Sequence, residues 1–322
     1  MQLFHRLRKV TNELLSPLGL SVERVEKRPW FRPEIVTTRV GKYDIRVPAA
    51  NPLSRIYLEN PGYASYLGAL AALLMEKYKN LIAMDVGANV GDTACIIESS
   101  ASIPLLCIEG DDLCFTWLEQ NLRQFPQATA YRVFLGEKSE TLDVSTEKDG
   151  WNTTLIPNRS GPSKGIQLLS LDDFLSSRPE TPNLKLLKID TEGFDCSIIR
   201  GARNFIRQVR PVITFEYNRD NMAVLGEPGL DTLDMLATLG YDCVAVHDCA
   251  GRFFDAASLS DDRFVRNIHD YADGKHAAVY YFDLTLFHES DQDVARAFVN
   301  EERGRRAGDA ANSLPTPCAA RS

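Results

Sequence analysis

The feature that most restricts how this chain can fold is a regular alternation of short apolar runs with amphipathic stretches. Runs at Leu81–Val86, Pro104–Glu109, Tyr131–Leu135, Leu184–Asp190, Pro211–Glu216, Tyr241–Val246 and Ala278–Phe282 read as strands. Between them, Thr93–Ser100, Asp112–Gln124, Asp195–Gln208 and Leu230–Leu239 read as helices. Apolar strands separated by crossover helices are buried on both faces, which requires a mostly parallel sheet with helices above and below. The expected fold is α/β: a doubly wound, mostly parallel sheet of about seven strands over residues 56–288. Residues 141–170 interrupt the rhythm with Gly150, Pro157, Gly161, Pro162 and Gly165, which suggests an inserted hairpin or loop. Residues 1–55 form an N-terminal extension. Residues 289–322 form a C-terminal helix and tail, with residues 301–322 too poor in apolar side chains to order.

Composition narrows the function. Lys and Arg number 36 against 44 Asp and Glu, a net charge of −8. Nucleic-acid affinity comes from neutralising phosphates, so an acidic chain without a basic stripe is a poor candidate for it. The longest apolar run, Tyr66–Met75, has 10 residues, whereas a membrane-spanning helix needs about 20. The seven cysteines are scattered with no Cys-x-x-Cys pair. That pattern suits buried thiols in a reducing cytoplasm better than disulfides or zinc. Near the N-terminus, Leu3, Leu7, Val10 and Leu14 recur at helical spacing beside His5, Arg6, Arg8 and Lys9. Residues 3–15 so read as a short amphipathic helix. Its functional reading is peripheral contact with an anionic membrane surface; the plainer reading is docking on its own domain or on a second subunit.

In an open parallel sheet, ligands bind beyond the carboxyl ends of the strands. After the first strand comes Asp85-Val86-Gly87-Ala88-Asn89-Val90-Gly91-Asp92-Thr93. Gly87 and Gly91 allow a tight turn and close backbone approach by a ligand, and Asn89 tolerates left-handed backbone. The helix that follows offers its free N–H groups. Glu109, 18 residues past Gly91, ends the second strand, where a carboxylate can accept both hydroxyls of a ribose. A dinucleotide turn needs Gly-x-Gly-x-x-Gly and a P-loop needs Gly-Lys-Ser/Thr; neither is present. Asp85 would repel a phosphate but suits a cationic group. S-adenosylmethionine, with an ammonium, a sulfonium, a ribose and no phosphate, fits that pattern. The cofactor-binding candidates are Asp85, Gly87, Asn89, Gly91, Thr93, Glu109 and Asp190.

The chain also resembles a known family. Met84-Asp85-Val86-Gly87-Ala88-Asn89-Val90-Gly91-Asp92-Thr93, Ile108-Glu109, Leu171-Asp172-Asp173-Phe174-Leu175, Leu187-Lys188-Ile189-Asp190-Thr191-Glu192-Gly193-Phe194-Asp195 and Phe215-Glu216 occur in order. Together, across about residues 60–220, they resemble the FkbM-family methyltransferases. The resemblance implies a class I S-adenosylmethionine-dependent fold and O-methylation of a hydroxyl on a sugar, glycan or secondary metabolite. Members often carry proline after the strand-two glutamate; here Gly110 stands there. Residues 1–55 and 240–322 match no family pattern, so the acceptor site is not inherited.

Methyl transfer to oxygen needs alignment and the removal of one proton. Asp190, Glu216 and His247 are the catalytic candidates, with His247 suited to a general base. Asp190 alternatively caps the following helix, and Glu192 alternatively pairs with Lys188 or Arg200. Asp190, Glu216 and Asn218 would offer three oxygen ligands to Mg²⁺, which would acidify the acceptor hydroxyl. Trp151 would stack on a sugar face or fill a core gap. A nicotinamide oxidoreductase is the rival enzyme, disfavoured by the turn spacing and Asp85. A non-catalytic cofactor-binding subunit is the rival outside catalysis, disfavoured by the intact Asp85, Gly87, Gly91, Glu109 and Asp190.

Overall fold

The computed structural model describes residues 34–149, 152–157, 164–272 and 279–313. The readings on residues 3–15 and Trp151 lie outside them. The chain opens with a hairpin of β1 (Ile35–Val40) and β2 (Tyr43–Pro48), then α1 (Leu53–Glu59) and α2 (Tyr66–Lys77). The alternating region follows: β3 (Ile82–Val86), α3 (Asp92–Ser100), β4 (Leu105–Glu109), α4 (Asp112–Leu122) and β5 (Ala128–Arg132). A second sheet interrupts it, made of β6 (Phe134–Gly136), β7 (Glu140–Asp149), β8 (Asn152–Pro157) and β9 (Lys164–Ser170). Then come α5 (Leu171–Leu175), β10 (Leu184–Ile189), α6 (Asp195–Arg200), α7 (Arg203–Val209), β11 (Val212–Tyr217), α8 (Arg219–Leu225) and α9 (Leu230–Thr238). The chain continues through β12 (Tyr241–Asp248), β13 (Phe253–Ser258), α10 (Asp262–Tyr271), β14 (Phe282–His288) and α11 (Gln292–Ser313).

The main sheet has eight strands in the order β13-β12-β14-β11-β10-β3-β4-β5. From β5 to β11 every pairing is parallel. β14 is antiparallel to both β11 and β12. The fold class is therefore the one expected, an α/β class I arrangement. Apolar side chains fill both faces. On one, Leu70 and Leu74 of α2, Ile97 of α3, Leu118 of α4 and Phe298 of α11 pack together. On the other, Phe174 of α5, Ile199 of α6, Ile206 of α7 and Leu236 of α9 do so. Burying one such side chain contributes roughly 1.5–3 kcal/mol.

Four elements differ from the sequence expectation. The third strand is Ala128–Arg132, and the chain turns away after Val133 so that Phe134–Gly136 pairs with β9. As the edge of the main sheet, β5 is mostly half-buried or exposed, so its sequence carries little apolar signal. The seventh strand is Phe282–His288. Asp283 and Thr285 broke its apolar pattern, but Thr285 Oγ1 lies 3.1 Å from Thr214 Oγ1, so the buried hydroxyls satisfy each other. The helix expected over Asp195–Gln208 is broken at Gly201, where a Cβ would lie 2.3 Å from the Gly136 carbonyl oxygen. α11 continues to Ser313 through a stretch expected to be unordered.

Candidate active site

The order of the main sheet reverses between β3 and β10, and ligands bind beyond the strand ends at such a point. A cleft of about 840 Å³ opens there. The turn after β3 is tied to β4, because the N–H groups of Gly87 and Ala88 both donate to the Ile108 carbonyl at 2.9 Å. Gly87, Asn89 and Gly91 all have left-handed backbone, with φ of +79°, +47° and +91°. The space beside Gly87 is filled by the chain itself. A Cβ there would sit 1.8 Å from the Asp190 carbonyl oxygen. The tight turn expected of this glycine is present, the side a Cβ would occupy belongs to the turn after β10, and its backbone lines the cleft.

Glu109 sits at the mouth of β4. Its Oε2 accepts the Asn89 N–H at 2.9 Å and its Oε1 accepts the Asp111 N–H at 2.7 Å. Each oxygen keeps acceptor capacity for a further donor. Burial pushes this carboxyl up to about 7, against the lowering effect of those two N–H groups. Next to it, a Cβ on Gly110 would lie 2.2 Å from the Phe134 ring. The bare backbone at residue 110 is what lets Phe134 form that wall of the cleft.

Beneath the turn, Asp85 is fully buried and its Oδ1 lies 3.0 Å from Lys188 Nζ, its cross-strand neighbour. Burial raises the Asp85 carboxyl against the pull of Lys188. Burial alone would lower Lys188, but the carboxylates of Asp85 and Asp190 hold it well above the usual range. Asp190 Oδ2 is 3.5 Å from Lys188 Nζ. Asp190 does not cap α6. The Asp195 carboxylate does the local work, accepting the N–H groups of Thr191 at 3.3 Å and Gly193 at 3.2 Å. Glu192 accepts a hydrogen bond from Asn221 Nδ2 at 2.8 Å. The cations proposed for it pair elsewhere: Arg200 holds Glu137 and Glu227. Glu192 has φ +53°, a strained conformation of the kind that gathers at functional sites.

The expected Mg²⁺ set does not fit. Asn218 Nδ2 donates to Glu216 Oε1 at 3.2 Å, and Asn218 Oδ1 caps α8 by accepting the Asn221 N–H at 3.3 Å. Asn218 thus shows Glu216 an amide N–H, not a ligand oxygen. Among the described residues, no group of three or more His, Cys, Asp or Glu could hold a metal ion. His247 is also set apart. Its ring is fully buried, stacked on Tyr66 at 3.9 Å, and its Nε2 lies 3.3 Å from Glu302 Oε2. It does not line the cleft. The cleft gathers Gly87, Asn89, Thr93, Glu109, Asp190 and Glu216 along its wall, with Asp85 behind Lys188.

Residues 85–243 match the methyltransferase FkbM domain. The chain is similar to that domain over just under half of its length. It is 29% identical over 143 residues to the hexuronic acid methyltransferase AglP of Haloferax volcanii, covering 44% of this chain and 58% of that relative. Of solved structures, it is similar to a methyltransferase FkbM from Methylobacillus flagellatus, with 17% identity, coverage of 56% of this chain and 43% of that one, and a TM-score of 0.38. It is also similar to TYW2 of Pyrococcus horikoshii in complex with MeSAdo, with 12% identity, coverage of 88% and 83%, and a TM-score of 0.39. The chain spans just over half the length of its curated relative.

Several residues of the cleft carry no motif signal in the sequence. Tyr57 Oη donates to Asp92 Oδ2 at 2.9 Å, which fixes a carboxylate in the first turn of α3. Tyr63, Tyr280 and Tyr281 line the far side, with the hydroxyls of Tyr63 and Tyr281 3.4 Å apart. Asp283, at the start of β14, faces the same space. Asp92 stands inside the quoted motif and its place at a helix start was a readable signal. Asp283 gave none, because its strand was misplaced.

Proposed function

We propose that this chain is an S-adenosylmethionine-dependent O-methyltransferase acting on a hydroxyl of a sugar or glycan. The observation that carries the reading is Glu109: a cleft carboxylate anchored by two backbone N–H groups beside the glycine turn, with acceptor capacity left on both oxygens. Those oxygens would take the two ribose hydroxyls. The wall is rich in carboxylates, with Asp92, Glu109, Asp190, Glu192, Glu216 and Asp283 along it. Such a wall favours a cation, which suits an ammonium and a sulfonium. A pyrophosphate at the start of α3 would meet Asp92 instead, which counts against a nicotinamide cofactor. When bound, S-adenosylmethionine supplies an electrophilic methyl group on sulfur.

The chain's own residues supply the rest. Asp85, Gly87, Asn89, Gly91, Thr93 and Asp190 shape the donor end, most of them by fixing the turn. Asp190 and Glu216 stand between that end and the tyrosine-lined side, where they would orient an acceptor. Tyr63, Tyr280 and Tyr281 offer flat faces and hydroxyls, a chemistry that suits a sugar ring. The relative AglP is named for methylation of a hexuronic acid, which supports the same class of acceptor. The test has two arms. Calorimetry with S-adenosylhomocysteine should show binding that Glu109→Ala weakens. Labelled methyl should pass from S-adenosylmethionine to a glucuronic acid glycoside. Absence of S-adenosylhomocysteine binding would refute the donor assignment, and binding without transfer to any sugar would refute the acceptor class.

A further inference from the structure

We infer that Asp283, carried into the cleft by the antiparallel strand β14, is the group that takes the proton from the acceptor hydroxyl; this rests on the methyltransferase reading above. β14 runs against β11 and β12, so its first residues arrive at the edge where the parallel strands end. Asp283 stands opposite Glu216 in the ladder and lines the cleft next to Tyr63 and Tyr281. It is thus on the tyrosine-lined side while still within electrostatic reach of Asp190 and Lys188.

The other candidates are engaged differently. Asp190 faces the Lys188 ammonium. Glu216 is buried and crowded by Asp190 and Glu192, which holds its carboxyl well above the usual range. Its Oε1 already accepts a hydrogen bond from Asn218 Nδ2 at 3.2 Å. His247 is walled off by Tyr66, Phe253 and Phe298. Asp283 lines the cleft and keeps a small exposed face toward it. The groups facing it are Tyr66 of α2, Tyr63 before that helix, Lys188 and Asp190 of β10 and its turn, Asp195 of α6, Glu216 of β11, His247 of β12, and Tyr281 of its own segment. Burial, with Asp190 adding to it, lifts the Asp283 carboxyl to about 7, while the Tyr66 hydroxyl bond and Lys188 pull it down. A base poised near the working pH is the efficient one.

The step balances without a further reactant. The O–H bond of the acceptor breaks and its proton goes to an Asp283 carboxylate oxygen. The O–CH₃ bond forms, the donor's S–CH₃ bond breaks, and the bonding pair stays on sulfur. Asp283 returns its proton to solvent through the open cleft. The acid limb of the rate is the readout that a merely structural role would not produce. Transfer to a glucuronic acid glycoside should rise with pH through about 7 in the native protein, the range to which burial lifts Asp283. Asp283→Asn should lower kcat by about 10²–10⁴-fold, remove that limb, and leave KM for the glycoside and S-adenosylhomocysteine affinity within about twofold, which separates a failure of this assignment from a failure of the donor site. Tyr66→Phe keeps the carboxylate and deletes the bond that lowers it, so the limb should move to higher pH. Carboxyl NMR of the S-adenosylhomocysteine complex checks the assignment without an acceptor: one resonance titrating near neutral pH should vanish in Asp283→Asn. An unchanged pH profile in a folded Asp283→Asn, or an Asp283 resonance that titrates in the ordinary carboxylate range, overturns the inference.

Discussion

Replacing Gly87 by alanine separates two costs that the structure sets on one residue. The first is conformational: at φ +79° an L side chain costs roughly 1–2 kcal/mol. The second is contact: the new Cβ would meet the Asp190 carbonyl oxygen at 1.8 Å and the carbonyl carbon at 2.8 Å. Both are backbone atoms of a turn held by the Asp190 N–H to Val86 bond, so neither swings away as a side-chain tip would. Overpacking of this kind costs about 1–3 kcal/mol, for a total of roughly 2–5 kcal/mol. Gly226→Ala is the control, because its φ is +71° and a Cβ there would meet nothing within 4 Å. It should show the conformational cost alone. At roughly 2–4 °C per kcal/mol, Gly87→Ala should lower the melting temperature by about 4–20 °C. Gly226→Ala should lower it by only a few degrees. S-adenosylhomocysteine affinity of Gly87→Ala should also fall, since displacing the β10 turn moves Asp190. Equal melting temperatures for the two variants, measured by scanning calorimetry, would show that β3 and β10 do not approach as described.

Three further outcomes follow from the site. Glu109→Ala should weaken S-adenosylhomocysteine binding at least about tenfold, because each charge-assisted hydrogen bond lost is worth roughly 1.5–3 kcal/mol; unchanged calorimetric affinity in a folded variant removes Glu109 from the donor site. Lys188→Met leaves Asp85 buried beside no cation and should cost about 3–5 kcal/mol, while the double variant Asp85→Asn, Lys188→Met should recover part of it; denaturant midpoints decide, and a milder single variant than double refutes the pairing. The carboxyls of Glu109, Asp195 and Asp283 are each raised to about 7, so the folded state holds protons that the unfolded chain has released. The sign is that stability falls as pH rises from about 4.5 to about 7; the ligand-free melting temperature should therefore climb on acidification from pH 7 toward pH 5, and a flat or opposite trend refutes the burial of these groups.

The sheet and the glycine turn after β3 were legible because their signals are local. Apolar runs such as Ile82–Val86 are buried along their whole length, and the turn residues Gly87, Asn89 and Gly91 declare left-handed backbone by residue type. What escaped is what depends on residues distant in the chain. Nothing near Gly87 tells that its missing side chain is matched to the carbonyl of Asp190, and nothing near Gly110 tells that the Phe134 ring lies on it. His247 reads as a base from its place at a strand end, yet that end is covered by Tyr66 from α2 and by Glu302 and Phe298 from α11. β14 is the instructive case. A strand flanked on both sides can carry Asp283 and Thr285 because neighbours satisfy one hydroxyl and a cleft receives the carboxylate. Those same polar residues hid the strand from an apolar-periodicity reading. The residue that breaks the pattern is the one placed where chemistry is possible, which is the expected relation between local inconsistency and function. An antiparallel strand entering a parallel sheet reverses which of its ends reaches the ligand edge. Its first residues, rather than its last, are therefore the ones to search for a reactive group.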